Sequence, residues 1–585
     1  MHRFTLWAPH AARVDLVLPA SGQQVEMSPD QTMSADRPGW WAAEVEAAGP
    51  GTDYLFRLDG GTPRPDPRSP WQPAGVDGPS RVVDHSSFEW NDRSWRGVHL
   101  PSAVLYELHV GTFTPEGTFD AAASRLGHLA DLGIDAVELL PVAEASGERG
   151  WGYDGVDWYA PHHAYGGPDG LKRFVDAAHA AGIGVVMDVV YNHLGPVGNY
   201  LAELGPYFTD RYRTSWGEAL NFDGPYSDEV RRFVVDNATM WLREYHCDGL
   251  RLDAVHAICD NSAVNVLEQL AAEVRRLAAA LGRPKFLVAE SDLDDPRLVR
   301  PPLAGGYGLD SAWADGFHHA LHAVLTGERS GYYADYGQLE QLATALRRAW
   351  VYAGEWSPYR RRHHGRPPLG LSGDRFVVFS QNHDQVGNRA RGERLCHLVT
   401  PGRAKIAAAL VLLSPFVPLL FQGEEWAASS PFCYFTDHRD PALARAVQEG
   451  RRAELAPFGW QPEQVPDPQA PSTFEQSQLD WSELDDPFHS AMLDWYRSLI
   501  RLRRELGTLA GGDPAATTTA CDGEDGWLVV ERPGLLSAAN LGAGPVTLEL
   551  DAGETDLLAA SDGAVTLAGA AVVLPPDSVA VLGAR

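Results

Sequence analysis

Lysine is almost absent from this 585-residue chain, occurring only as Lys172, Lys285 and Lys405. Against 48 Lys and Arg stand 78 Asp and Glu, a formal charge of −30 at pH 7. A surface of that sign repels a phosphate backbone and an anionic bilayer, so nucleic acid and membrane are excluded as partners and a neutral substrate fits best. Cysteine is scarce too. Cys247, Cys259, Cys396, Cys433 and Cys521 are odd in number and lack C-x-x-C spacing, which excludes a disulfide scaffold and a structural zinc site and predicts reduced, buried thiols. Long apolar runs are also missing. The amino terminus has no apolar signal region, and Ile406 to Phe421, interrupted by Pro415 and Pro418, predicts a buried helix and strand rather than a membrane span. The sequon Asn237-Ala238-Thr239 falls in a helical pattern, and the whole set predicts a cytoplasmic protein.

Apolar residues make up 44% and charged residues 22%, values ordinary for a globular protein, and the length predicts two to four domains. Residues 1–96 alternate short apolar runs (Val14–Leu18, Trp40–Val45, Tyr54–Leu58) with Pro, Gly and Asp, which predicts a β-sandwich. Residues 97–508 alternate strand-like runs with amphipathic helices. Strands are predicted at Val104–Val110, Ile134–Leu140, Val185 onward, Gly249–Asp253, Phe286–Glu290, Leu309–Ala314, Phe376–Ser380 and Pro418–Phe421. Repeated βα units mean parallel strands with right-handed crossovers, so the prediction is an α/β fold, a (β/α)8 TIM barrel with enlarged βα loops at 146–170, 193–226 and 327–375. An open doubly wound sheet is the other arrangement, without the Gly-rich phosphate loop that accompanies it. Residues 509–585 lose the helical period and predict a C-terminal antiparallel β-domain.

One stretch stands apart: Gly249-Leu250-Arg251-Leu252-Asp253-Ala254-Val255-His256, a short strand ending in a charge pair. Arg251 and Asp253, two apart, project to the same face, and alone they could be a structural ion pair. Three other predicted strands also finish in polar groups, at Asp188 to His193, Glu290-Ser291, and Asn382-His383-Asp384. Parallel barrel strands deliver such ends to one face, where barrel enzymes keep their sites. Two carboxylates in unlike environments suit glycosidic-bond hydrolysis. Arg251 would keep Asp253 ionised as nucleophile, whereas Glu290, after four apolar residues, would be desolvated and suited to general acid work. His383 and His193 are candidate clamps on sugar hydroxyls. Trp151, Tyr153, Trp158, Tyr159, Tyr200, Tyr207, Phe208 and Trp216 crowd the enlarged loops, where each either packs its loop or offers a sugar platform. The basic run Arg360-Arg361-Arg362-His363-His364 reads as a solvated loop.

Asp188-Val-Val-Tyr-Asn-His193, Gly249-Leu-Arg-Leu-Asp253, Val288-Ala-Glu290 and Asn382-His-Asp384 resemble, in order and separation, the four motif regions of the α-amylase family of retaining glycoside hydrolases (family 13). Phe4-Thr-Leu-Trp-Ala-Pro9 resembles the module that precedes the barrel in branching and debranching enzymes. The resemblance implies Asp253 as nucleophile, Glu290 as acid/base, Asp384 as transition-state stabiliser, and Arg251, His193 and His383 as substrate-binding partners, with Tyr153 as the stacking tyrosine. Gly150 to Val156, Tyr159 to Gly167, Asp253-Ala-Val-His256-Ala-Ile258, Ser380 to Asn388 and Phe421 to Trp426 resemble the trehalohydrolase group of that family. That likeness implies release of trehalose from maltooligosyltrehalose by cutting the α-1,4 bond next to the trehalose end. His256 joins the substrate-binding set, and a maltooligosyltrehalose synthase is the functional partner. Branching enzymes share several elements, but their fourth motif carries Ser-His-Asp-Glu where this chain has Asn382-His383-Asp384-Gln385. A general α-amylase or a catalytically dead binding protein are further readings, the last opposed by the presence of all three carboxylates. Many α-amylases bind calcium through an Asn at the position of Asn192, but the trehalohydrolase group does not generally depend on a metal, so no metal or cofactor is predicted.

Overall fold

A computed structural model describes residues 1–33, 37–507, 512–550 and 555–584. Its centre is a closed barrel of eight parallel strands: Leu105–Leu108, Ala136–Leu139, Gly184–Val189, Gly249–Leu252, Phe286–Ala289, Ser311–Trp313, Phe376–Val378 and Val417–Phe421. The eighth closes on the first, with Leu419 opposite Leu105 and Phe421 opposite Glu107. Every predicted strand is present, most of them shorter than predicted because their polar ends belong to the loops.

Strand periodicity sorts the side chains. Leu250 and Leu252 pack outward on the helices, while Gly249 and Arg251 face the barrel axis, where Phe286, Val288, Val186 and Leu105 fill the lower half. Gly249 has to be glycine: a Cβ there would sit 2.5 Å from the Phe286 ring. The upper half of the axis is polar, with Glu107, Glu138, Asp188 and Arg251 all buried.

Between strands run the predicted amphipathic helices. In Val266–Leu281, Leu267, Leu270, Ala271 and Val274 form the buried stripe, and Asn265 caps the start by accepting from the Leu267 amide. Such a cap is worth about 1 kcal/mol. Gly282, at φ 64°, ends the helix in the left-handed region that glycine adopts at least cost. The segment 327–375 is not one enlarged loop as predicted. It contains the helix Leu339–Arg348, whose buried stripe of Leu339, Leu342, Ala343 and Leu346 lies beside the strand Thr518–Asp522 of the last domain.

The amino-terminal strands form two sheets, His2–Trp7 with Trp40–Val45 and Ser28–Pro29, and Val14–Leu18 between Gln23–Glu26 and Asp53–Leu58, which also pairs with Ser80–Arg81. The carboxyl-terminal strands form a five-stranded and a three-stranded antiparallel sheet. The predicted join at 508–509 lies outside the described residues. All five cysteines are free thiols; Cys247 and Cys433 are buried, whereas Cys259, Cys396 and Cys521 are half-buried rather than buried as predicted. Asn237 of the sequon is fully buried, accepting from the Tyr191 hydroxyl at 2.6 Å and donating to the Trp158 carbonyl at 2.7 Å. Among the described residues no helix is long and apolar enough to cross a membrane.

Candidate active site

Arg251 organises the carboxyl end of the barrel. Parallel pairing puts it directly opposite Asp188, and its Nη1 donates to both Asp188 oxygens (2.8 and 2.7 Å) and to Asp253 Oδ1 (2.8 Å). Nη2 lies 3.6 Å from Glu290 Oε2, and the guanidinium sits 4.4 Å over the Trp313 ring. Burial alone would lower the Arg251 pKa, but Asp188, Tyr153, Asp253 and Glu290 together hold it well above its ordinary value. It is a fixed positive charge beneath the site.

Asp253 follows the fourth strand, its amide donating to Val189 O at 3.0 Å. While Oδ1 is held by Arg251, Oδ2 accepts from Asn192 Nδ2 at 2.7 Å, and the same amide reaches the Asp253 carbonyl at 2.8 Å. Both carboxylate oxygens are thus oriented from below. Ala254 then turns the chain at φ 39°, unusual for a residue with a Cβ, and its N–H donates to Glu290 Oε2. Glu290 ends the fifth strand. Burial raises its pKa well above the ordinary carboxyl value; Asp253, Asp315 and Asp384 add to the rise and Arg251 opposes it. Asp253, oriented at both oxygens, therefore stands beside a carboxyl whose surroundings favour its protonated form.

Asp384 opens the short helix after the seventh strand, where Asn382 caps its amide at 2.9 Å. Its side chain is 45% exposed, the most open of the three carboxyls. Tyr153 donates its hydroxyl proton to Asp188 Oδ2 at 2.7 Å and so can accept from His383 Nε2 at 2.8 Å. His383 Nδ1 meets Glu107 Oε1 at 2.6 Å. Burial opposes charge on His383, but Glu107 outweighs it and raises the pKa, consistent with an imidazolium donating from both nitrogens. His193 differs: burial lowers its pKa, Nδ1 faces Asn192 Oδ1, Nε2 lies 3.1 Å from Tyr153 O, and Trp216 covers its ring at 4.3 Å with planes 5° apart. His256 is exposed at the rim.

These groups converge on one open cleft of about 330 Å³. Asp253, Glu290, Asp384, Tyr153, His193, His256 and His383 line it, with Trp151, Asp154, Trp216, Tyr434, Phe435 and Thr436, while Arg251 lies beneath. Among the loop aromatics Trp151, Trp158, Tyr159 and Tyr207 are buried packing, whereas Trp216 is 51% exposed and presents a free face. The basic run is only partly a solvated loop. Arg361, Arg362 and His363 are exposed, but Arg360 pairs with Asp292 at 2.8 Å, two residues beyond Glu290, and His364 is buried 3.5 Å from Asp294. Sequence reading missed Glu107 and Asp315, and considered Asn192 only as a calcium ligand rather than as a partner of Asp253. Glu107 was visible as a lone acid inside the apolar run Val104 to Leu108, and Asn192 lay within a motif already singled out. Asp315 follows the sixth strand, and burial with the nearby Asp384 charge pushes it up to about 7.

The Asn192 amide is committed to Asp253, and its oxygen to His193. Among the described residues Glu144, His162 and His163 form the one group of three His, Cys, Asp or Glu side chains with ligand spacing. Glu144 already accepts from His163 Nδ1 at 2.7 Å and from the His163 amide at 2.8 Å, and His162 Nδ1 accepts from the Ala164 amide at 3.1 Å.

Comparison with known families and structures agrees with this geometry. Residues 82–216 match the alpha amylase catalytic domain, residues 1–72 match carbohydrate-binding module 48 (isoamylase N-terminal domain), and residues 514–581 match a domain of unknown function. The malto-oligosyltrehalose trehalohydrolase of Arthrobacter ramosus is 52% identical over 93% of both chains, and that of Rhizobium sp. (strain M-11) is 48% identical over 99% of this chain and 97% of its own. A 1,4-alpha-glucan branching enzyme of Corynebacterium jeikeium is 30% identical over 72% of this chain and 60% of its own. A solved structure from Salmonella typhimurium, described provisionally as an alpha amylase, superposes with a TM-score of 0.91 at 41% identity, covering 100% of this chain and 97% of that one. With a full-length match of this strength and the barrel's carboxyl ends arranged as described, the chain belongs to the malto-oligosyltrehalose trehalohydrolase family, on an α-amylase barrel.

Proposed function

We propose that this chain is a retaining α-glycoside hydrolase that cuts the α-1,4 bond next to the trehalose end of maltooligosyltrehalose, releasing trehalose and a maltooligosaccharide. The observation that carries the chemistry is the pair of unlike carboxyls: Asp253 oriented by Arg251 and Asn192, and Glu290 held protonated by burial beside it. An Asp253 oxygen attacks the anomeric carbon while Glu290 gives its proton to the departing glycosidic oxygen. Glu290, now a carboxylate, takes a proton from water, and that water opens the glycosyl ester and frees Asp253. Asp384, the more open acid across the cleft, faces the positive charge that develops on the ring. Tyr153 and His383 floor the same subsite, with His193 under Trp216 on its wall and His256 at its rim as the remaining substrate-binding partners. The trehalose specificity is carried by the names of the close relatives. A maltooligosyltrehalose synthase is the partner that would supply the substrate, and the acidic surface and free thiols support a cytoplasmic setting.

Incubation with maltotriosyltrehalose and, separately, with maltopentaose tests this reading. Rapid trehalose release with little cleavage of maltopentaose is expected. Cleavage of maltopentaose with trehalose left joined to its chain would return the enzyme to general α-amylase action, and new α-1,6 branches would make it a transglycosylase.

Trp216 presents an exposed aromatic face to this cleft, and flat indole faces pack well on the apolar faces of sugar rings. Trp216→Ala is expected to raise KM for maltotriosyltrehalose about fivefold to tenfold with kcat little changed, since such contacts are worth about 1 to 1.4 kcal/mol and hold ground and transition states alike. Steady-state kinetics check this.

A further inference from the structure

The motif Phe4 to Pro9, which the catalytic chemistry does not use, lies against the loop that carries Trp216. That loop, residues 198–226, leaves the third barrel strand and contains the hairpin Phe208–Thr214 with Gly217–Leu220. Its tip places Trp216 on His193. Its root is held by the amino-terminal module. Trp7 packs edge-on against Tyr207 at 5.2 Å and tilts toward Tyr226 at 6.4 Å. Arg64 makes a two-pronged pair with Glu203 (2.9 and 2.7 Å) and lies 3.9 Å over the Tyr200 ring. Asn221 ties the two ends of the segment together, its amide donating to Pro206 O at 3.1 Å and Pro225 O at 2.9 Å. The root therefore cannot shift without moving the hairpin.

From this arrangement we infer that the amino-terminal module is a positioning clamp for the active site, with Trp7 and Arg64 holding the root of the hairpin so that its tip keeps Trp216 over His193. Packed interfaces have discrete arrangements, so loosening the root frees the tip to leave its stacked position. The module acts on substrate through this contact, whether or not it binds carbohydrate itself. Trp7 and Arg64 are positioning residues, and the inference rests on the sugar-platform role proposed for Trp216.

Gly205 offers a wedge. Its backbone is extended (φ −178°), so any residue can adopt it, but a Cβ there would stand 3.1 Å from the Trp7 ring and 3.2 Å from Pro9 Cδ. A Cβ there requires Trp7 or Pro9 to give by a few tenths of an ångström, and leucine adds bulk at that contact. The test is a double-mutant cycle of Gly205→Leu and Trp216→Ala in the full chain, read by steady-state kinetics on maltotriosyltrehalose, with circular dichroism and thermal melting to establish folding. Gly205→Leu alone is expected to raise KM about fivefold to tenfold with kcat within about twofold, the loss of one aromatic contact. In the Trp216→Ala background the same substitution should change KM by less than about twofold, because the contact it acts through is gone. An unchanged KM in the wild-type background, or an equal rise in both, overturns the clamp. Should Gly205→Leu fail to fold, Arg64→Ala with Glu203→Ala runs the same cycle with an expected rise of about threefold, as befits a partly exposed pair. A wild-type enzyme that cuts maltopentaose and spares the trehalose bond would overturn the proposed specificity instead, and the cycle is then read on maltopentaose.

Discussion

Asp253→Ala is expected to lower kcat on maltotriosyltrehalose on the order of 10⁴-fold or more, the scale seen when a nucleophile is removed from a site that works as a unit. Substrate binding should survive, because alanine leaves the cleft walls and Trp216 in place. The loss is chemical: without Asp253 no oxygen stands where Arg251 and Asn192 aim one. The substitution also removes one of the carboxylates around buried Arg251, but Asp188 still holds that guanidinium at both oxygens, so the fold is expected to persist. Intact-mass spectrometry during turnover should show no glycosyl-enzyme. If hydrolysis continued at the wild-type rate, Asp253 would not be the nucleophile.

Glu290→Gln should cost about 10³-fold in kcat on the natural substrate, within the 10²–10⁴ range typical of a positioned general acid. The amide keeps the shape of the carboxyl and can still accept from the Ala254 N–H, so the turn should stay intact. The distinguishing result comes from maltotriosyl fluoride, whose leaving group needs no proton. With it the variant should form the glycosyl-enzyme on Asp253 within about tenfold of the wild-type rate, then stall for want of a base to activate water. A mass increase equal to one maltotriosyl unit is the expected reading, and added azide should release it. The pH profile follows from the same group. Its pKa is raised in the folded enzyme, so the active acid form is complete at low pH and is lost as pH rises through the raised value. The alkaline limb of kcat should therefore disappear in Glu290→Gln. A limb that persists unchanged would assign it to another group.

Much of this architecture is legible in the amino-acid sequence. Helix stripes and caps are local: Leu267, Leu270, Ala271 and Val274 fall on one face whatever surrounds them, and Asn265 and Gly282 mark the ends. The barrel strands were legible for the same reason, as apolar runs ending in polar groups. What failed was the long span from 327 to 375, where a helix buries its stripe near the last domain. No local signal says which surface an amphipathic stripe will meet. Glu107 was passed over because a single acid in an apolar strand is ambiguous until its partner is known, and His383 lies 276 residues away.

The sequence by itself determined the order along the chain of the groups proposed as catalytic, and the barrel that brings those strand ends to one face. Those depend on residue type and period, which are properties of short stretches. Tertiary structure alone decided the partners: Arg251 against Asp188 through strand register, Asn192 against Asp253, Arg360 against Asp292, and the amino-terminal module against the root of the Trp216 hairpin. Partner choice turns on distances of a few ångströms between groups far apart in sequence, and the electrostatic and packing energies that set it exist only once register and docking have fixed those distances.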